Sequence, residues 1–389
     1  MTQRVLVVHQ SAELYGSDRS LLDLMVGTDR HDTEFVVCLP NDGPLRAELE
    51  NGGVEVHITG VIKISRKQFS ILGLAGLPLE LISALRGISR VVSGRNIDVV
   101  YSNTVAVFAG ALWAKLHGKP HIWHIREIIR KPPLVSRLFQ AAVKHLSTKV
   151  ICNSHETAEW ISAGNPVPTF HQVVWNGVDS PGNVGNQDKE TQADASGPEV
   201  VATPNILMVG RVNAWKGQDL LLDALEAVFA AGESKFSVTF VGGPPPGQPE
   251  WMTQLRERID ASPLRGCAHI VEFTREIGDY YAKADLAVVP SKEPEPFGRV
   301  AIEAMAAGLP VVAAAHGGLR EIVAHESTGL LVAPNSPTAL AEALSKLLRS
   351  PELRRRMGMA GRQRQIDMFS LTAYRRGVVA VFDSVTVHA

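Results

Sequence analysis

Residues 288–318 read VVPSKEPEPFGRVAIEAMAAGLPVVAAAHGG. The stretch predicts a buried strand that ends at Pro290, then a polar loop, then a helix that begins near Gly298. Open α/β sheets bind ligands at the carboxyl ends of their strands, so the loop is expected to line a binding site. Backbone N–H groups at the start of the helix, near Phe297, Gly298 and Arg299, would hold an anion such as a diphosphate.

The same alternation of strand and helix extends across the chain in both directions. Each predicted strand leads into a helical or loop segment, which indicates mostly parallel sheets with helices on both faces. The chain has 389 residues, more than one hydrophobic core usually covers, so two domains are expected. The predicted strands are 5–8, 34–39, 54–58, 99–101, 121–124, 150–153, 206–209, 238–241, 269–272, 286–289 and 310–313.

A polar segment separates the two halves. Residues 180–203 read SPGNVGNQDKETQADASGPEVVAT, which is rich in small and polar residues and poor in large apolar ones. This composition is typical of a linker or of a solvated loop beside one. We therefore predict an N-terminal domain over 1–180, a linker over 181–203 and a C-terminal domain over 204–368.

Two carboxylates accompany the predicted helix in the quoted stretch. Glu295 lies in the loop and Glu303 lies about one and a half turns into the helix. A carboxylate accepts hydrogen bonds from paired hydroxyls, so one of them suits a sugar ring and the other a ribose. An ion pair between Glu303 and a neighbouring arginine is the alternative.

The segment Glu295-Pro-Phe-Gly-Arg-Val-Ala-Ile-Glu303, followed by AMAAG, resembles the signature of the retaining glycosyltransferases of family four. That signature has two glutamates separated by seven residues. The stretch 208–225, MVGRVNAWKGQDLLLDAL, is similar to the family's Gly-Arg and Lys-Gly segment. Weaker similarity covers HGGLRE at 316–321, NGVD at 176–179, YGSDRSLL at 15–22, SNT at 102–104, WHIRE at 123–127 and CNS at 152–154.

The resemblance implies roles for individual side chains. Arg211 and Lys216 would stabilise the negative charge that develops on a departing diphosphate, while Glu295 would orient the donor sugar and Glu303 the ribose. The loop around Gly16 would approach the donor phosphate or the acceptor. His124, at the end of a strand, would point into the cleft near the transferred sugar.

The resemblance also implies the fold and the reaction. The family has the GT-B fold, with two facing Rossmann-like domains, a donor cleft between them and a last helix, here within 369–389, that crosses back to the first domain. It transfers a sugar from a nucleoside diphosphate to an acceptor hydroxyl with retention of configuration. No pair of a nucleophile and a general base, such as the carboxylates of glycosidases, stands out in the sequence. No metal or cofactor is expected beyond the nucleotide-sugar donor.

The composition and the charge distribution indicate the location of the protein in the cell and its partners. Cys38, Cys152 and Cys267 are scattered and lack metal-binding spacing, and the N-terminus runs directly into a strand, so a cytoplasmic location is expected. Residues 60–150 contain 14 basic and 3 acidic side chains, whereas both flanking segments are acidic. This basic segment predicts an anionic inner-membrane surface as a partner and a glycan or polyprenyl-linked acceptor, as in bacterial surface polysaccharide or lipopolysaccharide assembly.

The apolar stretch 69–85 is interrupted by Pro78 and Glu80, so either a buried helix or one that lies at a membrane surface is expected.

Three other functions are possible for a chain of this kind. A sugar-nucleotide epimerase shares the architecture but not the paired-glutamate segment. A non-enzymatic anionic-surface binder, for instance of nucleic acid, leaves the C-terminal motifs without a role, so no nucleic-acid partner is expected. An NAD enzyme lacks support because no G-x-G-x-x-G motif follows the first strand.

Overall fold

A computed structural model describes residues 2–28, 32–61, 71–179, 203–274 and 276–386. Contacts divide the chain into an N-terminal unit, residues 1–177 with 371–389, and a C-terminal unit, residues 178–370. The linker predicted at 181–203 lies, except for its last residue, outside the described residues and stays a prediction.

The N-terminal unit contains a parallel sheet of seven described strands in the order β3-β2-β1-β4-β5-β6-β7. These strands are β1 Gln3–His9, β2 Thr33–Leu39, β3 Glu55–Ile58, β4 Val99–Asn103, β5 His121–Ile125, β6 Lys149–Cys152 and β7 His171–Val173. The helices between them are α1 Gly16–Val26, α2 Pro44–Asn51, α3 Ile71–Val91, α4 Ala109–Leu116, α5 Pro133–Leu146 and α6 His155–Ile161.

The C-terminal unit contains a second parallel sheet, of six described strands in the order β10-β9-β8-β11-β12-β13. These are β8 Asn205–Val209, β9 Ser237–Val241, β10 Ala268–Val271, β11 Leu286–Val289, β12 Val311–Ala314 and β13 Gly329–Val332. Its helices are α7 Gln218–Ala230, α8 Glu250–Asp260, α9 Gly278–Lys283, α10 Arg299–Ala306, α11 Leu319–Ile322, α12 Pro337–Leu348 and α13 Pro351–Met368. The last helix, α14 Leu371–Thr386, packs into the N-terminal unit.

Strand residues alternate between two cores because successive side chains point to opposite faces of a sheet. In the N-terminal unit, Val5 and Val7 pack with α1, α2 and α14, whereas Leu6 and Val8 pack with α3 and α4. A separate core in the C-terminal unit combines its strands with the inner faces of α7, α8 and α12.

Both sheets have the strand order of the doubly wound Rossmann fold, which confirms the predicted fold class of two Rossmann-like domains. In this order successive strands are added towards one edge of the sheet up to β3 or β10, and then towards the other edge from β4 or β11, so the order switches between β1 and β4 and between β8 and β11. In sheets of this kind, ligands bind at the carboxyl ends of the strands beside such a switch point. In the C-terminal unit that position is occupied by the segments after β8 and β11.

Candidate functional site

The central feature of the C-terminal unit is a contact between two side chains that are 79 residues apart. Lys216 Nζ lies 2.6 Å from Glu295 Oε1, and the two side chains are only 15% and 6% exposed. Ser291 Oγ donates a hydrogen bond of 2.5 Å to the same carboxylate oxygen, and Lys216 Nζ lies 4.3 Å from the centre of the Trp215 ring. A cation and a carboxylate are thus held together at the carboxyl ends of β8 and β11.

Hydrogen bonds to backbone groups hold the loop that carries Lys216 in place. Asn213 Oδ1 accepts hydrogen bonds from the backbone N–H groups of Trp215 and Lys216, and the N–H of Lys292 donates to the carbonyl of Trp215 at 2.7 Å. Gly217 has a φ of 85°, and a Cβ at that position would lie 2.3 Å from the carbonyl oxygen of Pro290. The close approach that glycine permits therefore joins the two loops.

The loop that carries Glu295 is held from the other side by residues 316–318. The N–H of Gly318 donates to the carbonyl of Glu295 at 2.8 Å, and His316 Nε2 donates to the carbonyl of Ser291 at 2.7 Å. Gly317 has a φ of 57°, and a Cβ there would lie 2.3 Å from the carbonyl oxygen of Glu295. Glycine at 317 is thus required for the position of Glu295.

We expect Gly317→Ala to lower stability by about 1–3 kcal/mol and to lower transfer activity about tenfold or more, because strain and a backbone clash both act on Glu295. The matched control is Gly232→Ala, where φ is 92° but no atom lies within 4 Å of the added Cβ. Thermal melts and initial rates of both variants test this. Equal rates for the two variants would show that the packing at 317 does not position Glu295.

Glu303 lies in α10, where two groups hold its carboxylate. Arg299 Nε donates to Oε1 at 2.8 Å, and Tyr281 Oη donates to Oε2 at 3.1 Å. The ion pair with a nearby arginine is therefore present, and it leaves the side chain 18% exposed.

The other predicted donor-binding residues of this unit lie near the same two strand ends. Arg211 follows β8 and its side chain is exposed, while its backbone carbonyl accepts a hydrogen bond of 2.8 Å from Gln218 Nε2. Phe297 is buried, and its ring lies 6.0 Å from the ring of Phe369, centre to centre. Gly298 immediately precedes α10.

His124 lies in β5 of the N-terminal unit. Its side chain is fully buried, and its Nδ1 accepts a hydrogen bond of 2.6 Å from Tyr101 Oη. The side chain lies on the face of the sheet that α14 covers, because Ile122, two positions earlier, packs in that core with Phe382. Burial, and then the nearby charge of Arg126, hold the pKa of His124 well below its usual value. His124 is therefore a neutral, buried imidazole, and its predicted role beside the transferred sugar stays a prediction.

Arg126 is the centre of a buried polar network in the N-terminal unit. Its guanidinium donates to Asn103 Oδ1, Asn176 Oδ1 and Tyr374 Oη, each at 2.6 Å. Tyr374 Oη donates in turn to the carbonyl of Ser20 at 3.1 Å. The side chain of Arg126 thus links β4 and α14 to Asn176, which lies near the end of the segment 1–177.

Gly16 is the first residue of α1, and the loop before it is organised by Asp18. Oδ1 of Asp18 lies 2.7 Å from His9 Nε2, and Oδ2 accepts hydrogen bonds from the N–H of Tyr15 and from Ser11 Oγ. Both His9 and Asp18 are buried. No Cβ contact restricts position 16, since nothing lies within 4 Å of a Cβ built there.

Sequence reasoning missed several residues of these sites. Ser291 follows a predicted strand directly, which is a signal for a site residue at the carboxyl end of a strand. His9 also follows a predicted strand directly, and Asp18 and Asn103 lie in stretches that resemble the family, but the contact of His9 with Asn103 depends on the pairing of β1 with β4.

Among the described residues, no group of three or more His, Cys, Asp or Glu side chains is arranged to hold a metal ion. No helix in the described ranges is both long enough and apolar enough to cross a bilayer.

Two family models match the chain. The model described as glycosyl transferases group 1 matches residues 190–364, and the model described as glycosyltransferase family 4 matches residues 15–180. The first of these ranges contains Lys216 and Glu295, and the second contains Arg126 and the loop around Gly16.

Individual proteins give the same picture. A D-inositol 3-phosphate glycosyltransferase of Nocardioides sp. is 30% identical over 353 residues, which cover 82% of this chain and 76% of the relative. One from Frankia alni is 38% identical over 185 residues, but these span only 45% of this chain and 44% of that relative. The crystal structure of Anabaena Alr3699/HepE in complex with UDP-glucose aligns with a TM-score of 0.79 at 22% identity, covering 98% of this chain and 99% of the other. At that identity the likeness shows the shared GT-B fold.

Proposed function

Because this chain belongs to the group 1 glycosyl transferases, we propose that it moves a sugar from a nucleoside diphosphate to an acceptor hydroxyl with retention of configuration. The observation that carries this proposal is the contact between Lys216 and Glu295 at the carboxyl ends of β8 and β11. A group of such a donor could replace each partner of this ion pair. A diphosphate would replace Glu295 beside the ammonium group, and a sugar hydroxyl would replace Lys216 beside the carboxylate.

The proposed reaction is a transfer in which the diphosphate leaves the sugar as the acceptor binds to it. The acceptor oxygen bonds to the anomeric carbon while the bond from that carbon to the diphosphate breaks. The electron pair of the broken bond stays on the phosphate oxygen, which takes the proton of the acceptor. Lys216 and Arg211 stabilise this developing charge, and Glu295 holds the sugar in place through its hydroxyls.

The donor is proposed to be a uridine diphosphate sugar, since Anabaena Alr3699/HepE has been crystallised with UDP-glucose and shares the fold. Glu303 would accept hydrogen bonds from the ribose hydroxyls, because Arg299 and Tyr281 hold its carboxylate in one orientation. The N–H groups near Phe297 and Gly298 would contact the diphosphate at the start of α10.

A nucleotide screen tests the donor proposal. We expect UDP to raise the melting temperature more than GDP, dTDP or ADP, because a ligand that binds only the folded state stabilises it. Glu303→Ala should weaken UDP binding about tenfold or more, as expected for the loss of hydrogen bonds to a charged group. Glu293→Ala, which removes an exposed carboxylate of the same loop, is the control. The proposal fails if no nucleotide shifts the melting temperature, or if the two variants bind UDP equally well.

The acceptor is proposed to be a hydroxyl of a glycan or polyprenyl-linked glycan in surface polysaccharide or lipopolysaccharide assembly. The support is the basic segment 60–150, which suits work at the cytoplasmic face of the anionic inner membrane. The names of the relatives favour a second candidate, a soluble inositol phosphate. Mass spectrometry of reactions that contain the donor with either acceptor distinguishes the two. Epimerised free nucleotide sugar formed without any acceptor would contradict both.

A further inference from the structure

Three neighbouring helices cover one face of the N-terminal sheet. Ala84 and Ile88 of α3 share a core with Trp113 of α4, and Ala111 of α4 shares the next core with Phe139 of α5. We call α3, α4 and α5 the three-helix layer. Its inner side chains pack on β1, β4 and β5, and the exposed side chains described for these helices form an outer surface.

The outer surface of this layer is unusually apolar. The four most exposed large apolar side chains in the described part of the chain all belong to it: Leu79 (73%), Leu116 (69%), Leu134 (69%) and Leu138 (58%). Single exposed leucines are ordinary, so the feature that distinguishes this surface is that all four belong to one layer, two of them on α5.

The same layer is strongly basic. Its helices carry one acidic residue, Glu80, and the basic residues Arg86, Arg90, Lys115, Arg137 and Lys144. The helices on the opposite face of the sheet are nearly balanced. They carry Arg19, Arg46, Arg375 and Arg376 against Asp18, Asp23, Glu48, Glu50 and Asp383. Helix α6 shares a core with α5 on the same face and adds Glu156 and Glu159, so the excess of positive charge belongs to the three helices that expose the leucines and not to the whole face.

Helix α5 carries both exposed leucines and basic side chains. Leu134 and Leu138 are one turn apart, so they lie on the same side of the helix, and Arg137 lies beside Leu138. The helix has no acidic residue, and within the described residues neither Arg137 nor Lys144 forms an ion pair. Its opposite side, with Phe139 and Val143, is buried against the sheet. Such a helix is suited to lie in the plane of a bilayer surface.

We infer that the three-helix layer docks on an anionic lipid bilayer, with Leu134 and Leu138 inserted among the lipids and Arg137 and Lys144 at the headgroups. Leucine insertion favours a bilayer over nucleic acid, whose phosphates would contact the cations and leave the leucines in water. The inference rests on the proposed function only for its purpose, which is to bring the donor site to a lipid-linked acceptor.

Flotation of the full chain with vesicles tests the surface. We expect binding to vesicles of phosphatidylglycerol and phosphatidylethanolamine, little binding to phosphatidylcholine, and weakening by salt. The double variant Leu134→Ser/Leu138→Ser should bind about tenfold or more weakly, and so should Arg137→Glu/Lys144→Glu. The control is Met359→Ser/Ile366→Ser, which removes two exposed apolar side chains of α13 (49% and 45% exposed) and should bind as the unchanged protein does.

Leu138→Trp gives a second measurement, since an inserted indole emits at shorter wavelength when vesicles are added. The inference is overturned if the leucine pair and the control pair behave alike, if the indole emission does not move, or if the leucine substitutions instead dissociate a dimer in light scattering. UDP titration of the same variants separates this outcome from the proposed function, because a folded donor site binds UDP with or without membrane docking.

Discussion

Replacing Lys216 by methionine is expected to lower kcat by about 10² to 10³-fold and also to lower stability, because the buried carboxylate of Glu295 loses its cation. The cation that faces the departing diphosphate would be lost, while the aliphatic chain that lies against Trp215 would be kept. Glu295→Gln should also lower kcat strongly, because the amide keeps the shape of the side chain but loses the charge that Ser291 and Lys216 stabilise. Initial rates at saturating donor measure both effects.

The matched control for this prediction is Lys292→Met. Lys292 lies in the adjoining loop, one position after Ser291, but its ammonium group pairs with the exposed Asp219. Pairs of that kind contribute about 0–1 kcal/mol, so this variant should retain its activity. Equal losses for Lys216→Met and Lys292→Met would mean that general electrostatics, and not the contact with Glu295, supports the reaction.

Replacing Arg126 by methionine is expected to cost about 3–5 kcal/mol of folding stability, the largest stability effect in the N-terminal unit. The substitution leaves Asn103, Asn176 and Tyr374 without the donor that each contacts at 2.6 Å. Each unpaired buried polar group costs about 1–3 kcal/mol. Urea unfolding, followed by far-UV circular dichroism, gives the change in the free energy of unfolding.

Two comparisons make the Arg126 prediction specific. Arg130→Met removes an exposed guanidinium that pairs with Glu156, so it should change stability by less than about 1 kcal/mol. Tyr374→Phe removes a single hydroxyl of the network and should cost about 1–2 kcal/mol. If Arg126→Met is no worse than Arg130→Met, the network does not hold this unit together.

The periodicity of apolar residues was sufficient to predict most strands and the doubly wound class. Two strands were missed for different reasons. Strand β7 contains His171 and Gln172, lies at the sheet edge and is only partly buried, so it lacks an apolar signal. Strand β13 has four residues, begins at Gly329 and follows a polar turn, which hides its apolar side chains among loop residues.

Residues of the candidate site could be predicted from the sequence one by one, but the contacts between them could not. Lys216 and Glu295 could each be selected from the motif around it, but their contact depends on the pairing of β8 with β11, which joins residues far apart in the chain. The burial of His124 likewise depends on a contact between parts of the chain that are far apart in sequence. Its burial requires α14, whose residues follow it by about 250 positions and cover that face of the sheet.

The central claim is that Lys216 binds the diphosphate of the donor and Glu295 binds its sugar. Calorimetric titration of the unchanged protein, Lys216→Met and Glu295→Gln with UDP and with the donor sugar nucleotide tests it most directly. We predict that Lys216→Met weakens both ligands, whereas Glu295→Gln weakens only the sugar nucleotide and leaves the affinity for UDP unchanged. Equal affinity of all three proteins for both ligands would contradict the claim.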